Sequence, residues 1–112
     1  MEKVKVSILV PLYNVEKYVG RCVESLFSQT YANIEYVFVN DCTPDRSMEV
    51  ITDYIEKYGV CDKCKIINHT VNKGISASRN DCLDNASGDY ILFIDSDDYI
   101  DVDMVEKLVL AA

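Results

Sequence analysis

Residues 6–41 read VSILVPLYNVEKYVGRCVESLFSQTYANIEYVFVND, and the spacing of their apolar side chains changes twice. The β-branched run over residues 4–10, bounded by Pro11, predicts a first buried strand. After Asn14, a suitable N-cap with Glu16 in the first turn, Val15, Val19, Cys22, Val23, Leu26 and Phe27 share one helical face. Residues 34–39, IEYVFV, then return to a strand pattern. Strand, helix and strand in close succession form the crossover unit from which parallel sheets are built.

The pattern continues toward the C-terminus. In the NDCTPD segment Thr43 can cap a helix with Pro44 at its first position; Met48, Ile51, Ile55 and Tyr58 follow at helical spacing, and Gly59 is placed to stop them. CKIIN, residues 64–68, predicts a third strand, residues 76–87 a helix ended by Gly88, and YILFI, residues 90–94, a fourth strand apolar enough to be covered on both faces. A last helix is expected from near Asp101, with Val105, Leu108 and Val109 turned inward, while Asp101 and Asp103 serve as acids at its start. The expected architecture is therefore α/β: one Rossmann-like unit over residues 1–112, a mainly parallel sheet with helices on both faces. The sequence stops at KLVLAA, within the expected helix and without Gly, Pro or a polar tail, which predicts a truncated domain.

Composition narrows the function. The 112 residues carry a formal charge of −8 and are 49% apolar, with a pI near 4.4, so a core is affordable and nucleic acid is an unsuitable partner. No apolar run approaches the roughly 20 residues that span a bilayer, and no secretory leader pattern precedes the first strand, so a cytoplasmic location is expected. Five scattered cysteines fit reduced thiols. Cys61 and Cys64 with His69 fall short of the about four ligands of a zinc site, which favours plain loop cysteines; His69 alone is read as structural, without a clear partner.

In an open parallel sheet ligands bind beyond the carboxyl ends of the strands. The residues there are Pro11, Tyr13 and Asn14; Asn40, Asp41 and Asp45; Asn72, Gly74 and Arg79; and Asp95, Asp97 and Asp98. PLYNVEKYVG lacks the glycines of a dinucleotide or P-loop phosphate cradle. Asp95-Ser96-Asp97 instead offers hard oxygen ligands at i, i+2, suited to magnesium or manganese bridging to phosphate. Solvated acids capping the next helix are the bland alternative, but mutual repulsion among three carboxylates favours a counter-ion. A calcium EF-hand register beginning at Asp95 fails at Tyr99 and Ile100. A haloacid-dehalogenase phosphatase pattern fails at Tyr99 and at its position late in the chain.

The segment 6–41, followed by DRS, NKGISASRN and GDYILFIDSDD, resembles the nucleotide-sugar-binding half of family 2 inverting glycosyltransferases, which have the GT-A fold. The resemblance covers nearly the whole chain in order. It implies that Pro11, Tyr13, Asn14 and Glu16 line a uridine pocket, with Tyr13 near the base, and that Asp41 hydrogen-bonds the uracil edge. Asn40 stands where the family usually has Asp, and Ser78 where it usually has alanine. Gly74 and Arg79 would approach the diphosphate. Asp95, Ser96 and Asp97 match the D-x-D motif, with Asp97 and Asp95, and then Asp98, as metal ligands. Tyr13 could instead be packing, and Arg79 could pair with Asp81 or Asp84.

The resemblance further implies transfer of a sugar from a nucleotide-sugar donor, UDP-linked by preference, to a carbohydrate or lipid-linked acceptor, with inversion and with manganese or magnesium, as in polysaccharide biosynthesis. Its acceptor-deprotonating aspartate would lie beyond Ala112, so no catalytic residue is assigned within the chain, and the fragment alone should be inactive. Peripheral membrane association and self-association are compatible with the sequence. The rival reading is a non-catalytic acidic α/β metal-binding or signalling module of the receiver type, but such modules gather acids after the first and third strands.

Overall fold

The computed structural model describes residues 4–112, so residues 1–3 of the expected unit lie outside it. The elements run β1 (Val6–Leu12), α1 (Val19–Phe27), β2 (Ile34–Asn40), α2 (Ser47–Tyr58), a 3-10 turn (Cys61–Lys63), β3 (Cys64–Asn68), α3 (Ile75–Asp84), β4 (Tyr90–Phe93) and α4 (Met104–Ala111). The four strands form one sheet in the order β3-β2-β1-β4, and every pairing is parallel. The expected α/β alternation is thus the observed one.

Alternation along β1 divides the core. Val6, Ile8, Val10 and Leu12 face a cluster built with Val19, Cys22, Val23 and Leu26 of α1, Ile51 and Ile55 of α2, and Val105 of α4. Leu9 faces the opposite side, with Val37, Val39 and Cys82 of α3. Side chains two apart share a face of a strand, so one central strand serves both layers. Helices α1, α2 and α4 cover one face and α3 the other.

Pro11 does not end the strand, contrary to expectation: β1 continues to Leu12, and Pro11 pairs with Val39. The carbonyl of Leu9 accepts from Ile94 on the β4 side, whereas that of Leu12 accepts from Asp41 on the β2 side. Parity places the missing N–H of Pro11 on the β4 side, where the ladder already stopped at Phe93. A proline costs little where no ladder bond is lost.

Two helix starts are later than the sequence predicts. Asn14 is not the cap of α1; it holds a positive φ of 58°. The backbone N–H groups of Asn14, Val15 and Glu16 donate to Thr43, Ser47 and Asp45 across the sheet end, which occupies them before a helix can form. Thr43 and Pro44 likewise do not open α2. The helix opens from Arg46, and Asp45 just before it accepts through Oδ1 from the Ser47 amide at 3.1 Å and hydroxyl at 2.6 Å. Gly59 ends α2 as expected, in the left-handed conformation. Helix α3 stops at Asp84, before Gly88.

Strand β4 departs most from expectation. It is an edge strand, and Tyr90, Ile91 and Phe93 are 44%, 42% and 38% exposed. Its apolar composition therefore marks no burial on both faces in this chain. Leu108 of α4 is also exposed, while Val105 is enclosed. Asp103 precedes the first turn of α4 and pairs with Lys107 at 3.1 Å.

Candidate functional site

The chain steps from β1 outward to β2 and β3, then returns to place β4 on the other side of β1. Where strand order reverses in this way, the flanking loops part and leave a crevice at the carboxyl edge. A cleft of about 530 Å³ lies there, within the range of small-molecule sites. Pro11, Leu12, Tyr13 and Val15 form one wall from the end of β1, and Asp95, Ser96 and Asp97 another from the end of β4. Asp41 follows β2, and Asn72, Gly74, Ile75 and Ser78 come from the start of α3.

Asp41 is buried at the base of the cleft. Its Oδ1 accepts from the Lys73 amide at 2.7 Å and faces His69 Nδ1 at 2.8 Å, while Oδ2 accepts from the Gly74 amide at 2.9 Å. Burial alone would raise the carboxyl pKa, but these bonds outweigh it and hold the group below its ordinary value. Gly74 adopts φ 93°, a conformation open to glycine that turns its N–H onto Asp41. The resulting loop fixes where α3 begins.

Asp95, Asp97 and Asp98 are exposed, and one carboxylate oxygen from each lies within 4.8 Å of the others. The Asp98 amide donates to the Asp95 carbonyl at 3.0 Å, closing the turn that gathers them. Cys22 Sγ reaches the same carbonyl from α1 at 3.8 Å. Burial first, and then the negative field of the three acids, pushes the Cys22 thiol up to about 12. The next stretch is docked on α1: Ile100 N–H donates to Ser25, and Arg21 stacks on Tyr99 at 4.4 Å. Hard oxygens so grouped fit a divalent cation such as magnesium or manganese. Among the described residues these three aspartates are the one group of acids, thiols or imidazole with that geometry.

Other expected residues are placed differently. Tyr13 lines the cleft and is 46% exposed. Asn14 and Glu16 line an adjoining recess with Lys17, Tyr18 and Asp45. Arg79 lies on the exposed side of α3, with its guanidinium 5.6 Å from the Phe93 ring; it is not brought into the cleft, and neither Asp81 nor Asp84 is its ion-pair partner. Asn40 donates to the Asn68 side chain and accepts from the Thr43 amide, tying β2 to β3 and to the loop. Ser78, only 1% exposed, has a hydroxyl without a hydrogen-bond partner among the described residues. All five cysteines are free, and Cys64 packs against the core.

His69 is the residue the sequence undervalues. It is buried between Asp41 and Asp81, not without partners. Its only sequence signal is its place at the end of β3, level with Asp41 in the neighbouring connection. No helix among the described residues is long and apolar enough to cross a membrane.

Comparison with known proteins agrees with this geometry. The sequence matches the model of Glycosyl transferase family 2 over residues 7–112. It is 44% identical over 104 residues to the glycosyltransferase GlyA of Streptococcus pneumoniae, covering 93% of this chain and 14% of that protein. To the poly(ribitol-phosphate) beta-glucosyltransferase of Bacillus spizizenii it is 41% identical, over 86% of this chain and 15% of that one. The structure of S. aureus TarS in complex with UDP superposes with a TM-score of 0.86 at 33% identity, over 95% of this chain and 31% of that one. A mannosyltransferase of Pyrobaculum calidifontis, 21% identical with a TM-score of 0.79 over 86% of this chain and 28% of that one, shares the fold. The chain thus spans less than a third of these relatives. Its parallel sheet, its switch-point cleft and a family match that begins in β1 and runs to Ala112 agree: the chain belongs to glycosyl transferase family 2 and is built on the GT-A fold.

Proposed function

We propose that residues 1–112 are the nucleotide-sugar-binding part of an inverting glycosyltransferase that takes a UDP-sugar donor and passes the sugar to a carbohydrate or lipid-linked acceptor hydroxyl. The observation that carries the reading is the convergence of Tyr13, Asp41, Asp95 and Asp97 on one cleft, with the Asp98 carboxylate clustered beside the last two. The neighbour with TM-score 0.86, whose structure contains UDP, supports the choice of nucleotide.

In this reading Tyr13 and Pro11 pack on the base, and Asp41 Oδ2, which spends one acceptor position on Gly74, offers the other to a base N–H. Asn14 and Glu16 border the ribose side, and Ser96 and Gly74 bring backbone close to the diphosphate. Asp97 and Asp95, with Asp98 beside them, would hold magnesium or manganese, which when bound supplies positive charge to the leaving diphosphate. Arg79 reaches that diphosphate by turning away from Phe93. The base that deprotonates the acceptor is outside the described residues, so the chain by itself binds donor without efficient transfer. Five free thiols support a reducing, cytoplasmic setting.

Asp97→Asn tests the reading. Its UDP affinity should drop about tenfold or more in manganese and stay close to that of the unaltered chain in chelator, both measured by calorimetry. Equal loss in the two conditions would remove the metal-bridging role.

A further inference from the structure

His69, the single histidine of the sequence, has a side chain only 3% exposed and an acid against each ring nitrogen. Nδ1 lies 2.8 Å from Asp41 Oδ1, and Nε2 lies 2.5 Å from Asp81 Oδ2. A neutral imidazole carries one N–H and one lone pair, so either tautomer would set a lone pair against a carboxylate oxygen. The imidazolium donates to both. Asp41 Oδ1 also accepts from Lys73 and Oδ2 from Gly74, so the ring, the carboxylate and the loop entering α3 are bonded as one unit.

We propose that His69 is a positioning residue for nucleotide binding: bridging Asp41 and Asp81 as an imidazolium, it holds the Asp41 carboxylate and the Lys73 and Gly74 amides in the arrangement that meets the base. The inference rests on the cleft being a nucleotide site. The charged groups facing the ring are Asp41 from the β2–α2 connection, Asp81 from α3 and Lys73 from the β3–α3 loop. Hydrogen bonds to Asp41 and then Asp81 raise the His69 pKa, opposed by burial and by Lys73, and the net direction is upward. A raised value means that the bridge is complete below the ordinary histidine pKa of about 6.5 and is lost as pH rises through the folded-state value. UDP affinity should fall on the same alkaline limb.

A single histidine makes the test direct. Nitrogen NMR of the chain should show both ring nitrogens protonated up to pH about 6.5, with an inflection above that ordinary value that moves down in Asp81→Asn. Asp81 is partly exposed, so that variant should fold. UDP titrations in parallel should lose about five- to tenfold in affinity through the same inflection, and the loss should move with it in Asp81→Asn. His69→Gln should bind more weakly and without that inflection. A ring that loses its second proton below pH about 6.5, or a UDP profile unchanged by Asp81→Asn, overturns the proposal. Failure to bind UDP at any pH, beside a normally titrating imidazolium, overturns the nucleotide reading itself and the positioning role with it.

Discussion

Glu35 shows how much a single buried charge can demand of its surroundings. It lies at the amino end of the sheet, away from the cleft, and accepts from the Ser7 hydroxyl and from the Ser87 amide and hydroxyl. Lys5 and Lys65 stand 3.4 and 3.2 Å away. Burial would raise its pKa, but the bonds from Ser7, Ser87 and Lys65 prevail and bring it down to about 2. A depressed carboxylate stabilises the fold above its unfolded-state pKa and loses that contribution as pH falls. The window here runs from about 4.5 down to about 2. Glu35→Gln should cost about 3 kcal/mol in urea unfolding at neutral pH, because donors gathered around an anion would face an amide. It should also flatten the acid limb of the stability profile. The acids of the cleft were legible in the sequence because each follows a strand. The His69 bridge was not, since its partners are 28 and 12 residues away and only folding brings them together.

At the scale of elements, two glycines separate conformation from space. Gly59 sits at φ 64° with nothing near a would-be Cβ, whereas a Cβ on Gly88 would lie 2.5 Å from Ser7 Oγ and 2.7 Å from Ser7 N. Gly59→Ala should therefore cost about 1 kcal/mol through backbone strain. Gly88→Ala should cost more, about 2 kcal/mol or above, because it drives β1 from the turn that precedes β4; urea midpoints on the two variants check the order. Gly88, expected as a helix stop, lies beyond the end of α3 and serves this close approach instead. Apolar spacing for β1, α1, β2, α2 and α4, and short apolar runs with glycine stops for the rest, identified all eight main elements. It misplaced the starts of α1 and α2 because those are decided by Thr43, Asp45 and Ser47 reaching across to the β1–α1 loop. An apolar composition did not reveal whether β4 is central or an edge; neighbours decide that.

For the whole molecule, the placement of charge follows from topology. A chain with a formal charge of −8 would repel a diphosphate, yet strand order sets Asp95 and Asp97 in one cleft with Tyr13 and Asp41 at the reversal point, and Asp98 beside them. A cation between two anions reconciles the two facts. The exposed apolar side chains Tyr90, Ile91 and Phe93 of β4 and Leu83 of α3 give the chain a surface on which further protein could pack. The role proposed for this cleft is to bind a nucleoside diphosphate through the aspartate cluster. Calorimetric titration of the chain with UDP, once in manganese and once in chelator, measures that coupling directly. Binding should be saturable in manganese and weakened about tenfold or more in chelator; affinity that is the same in both, or absent in manganese, would rule out a metal-bridged diphosphate site.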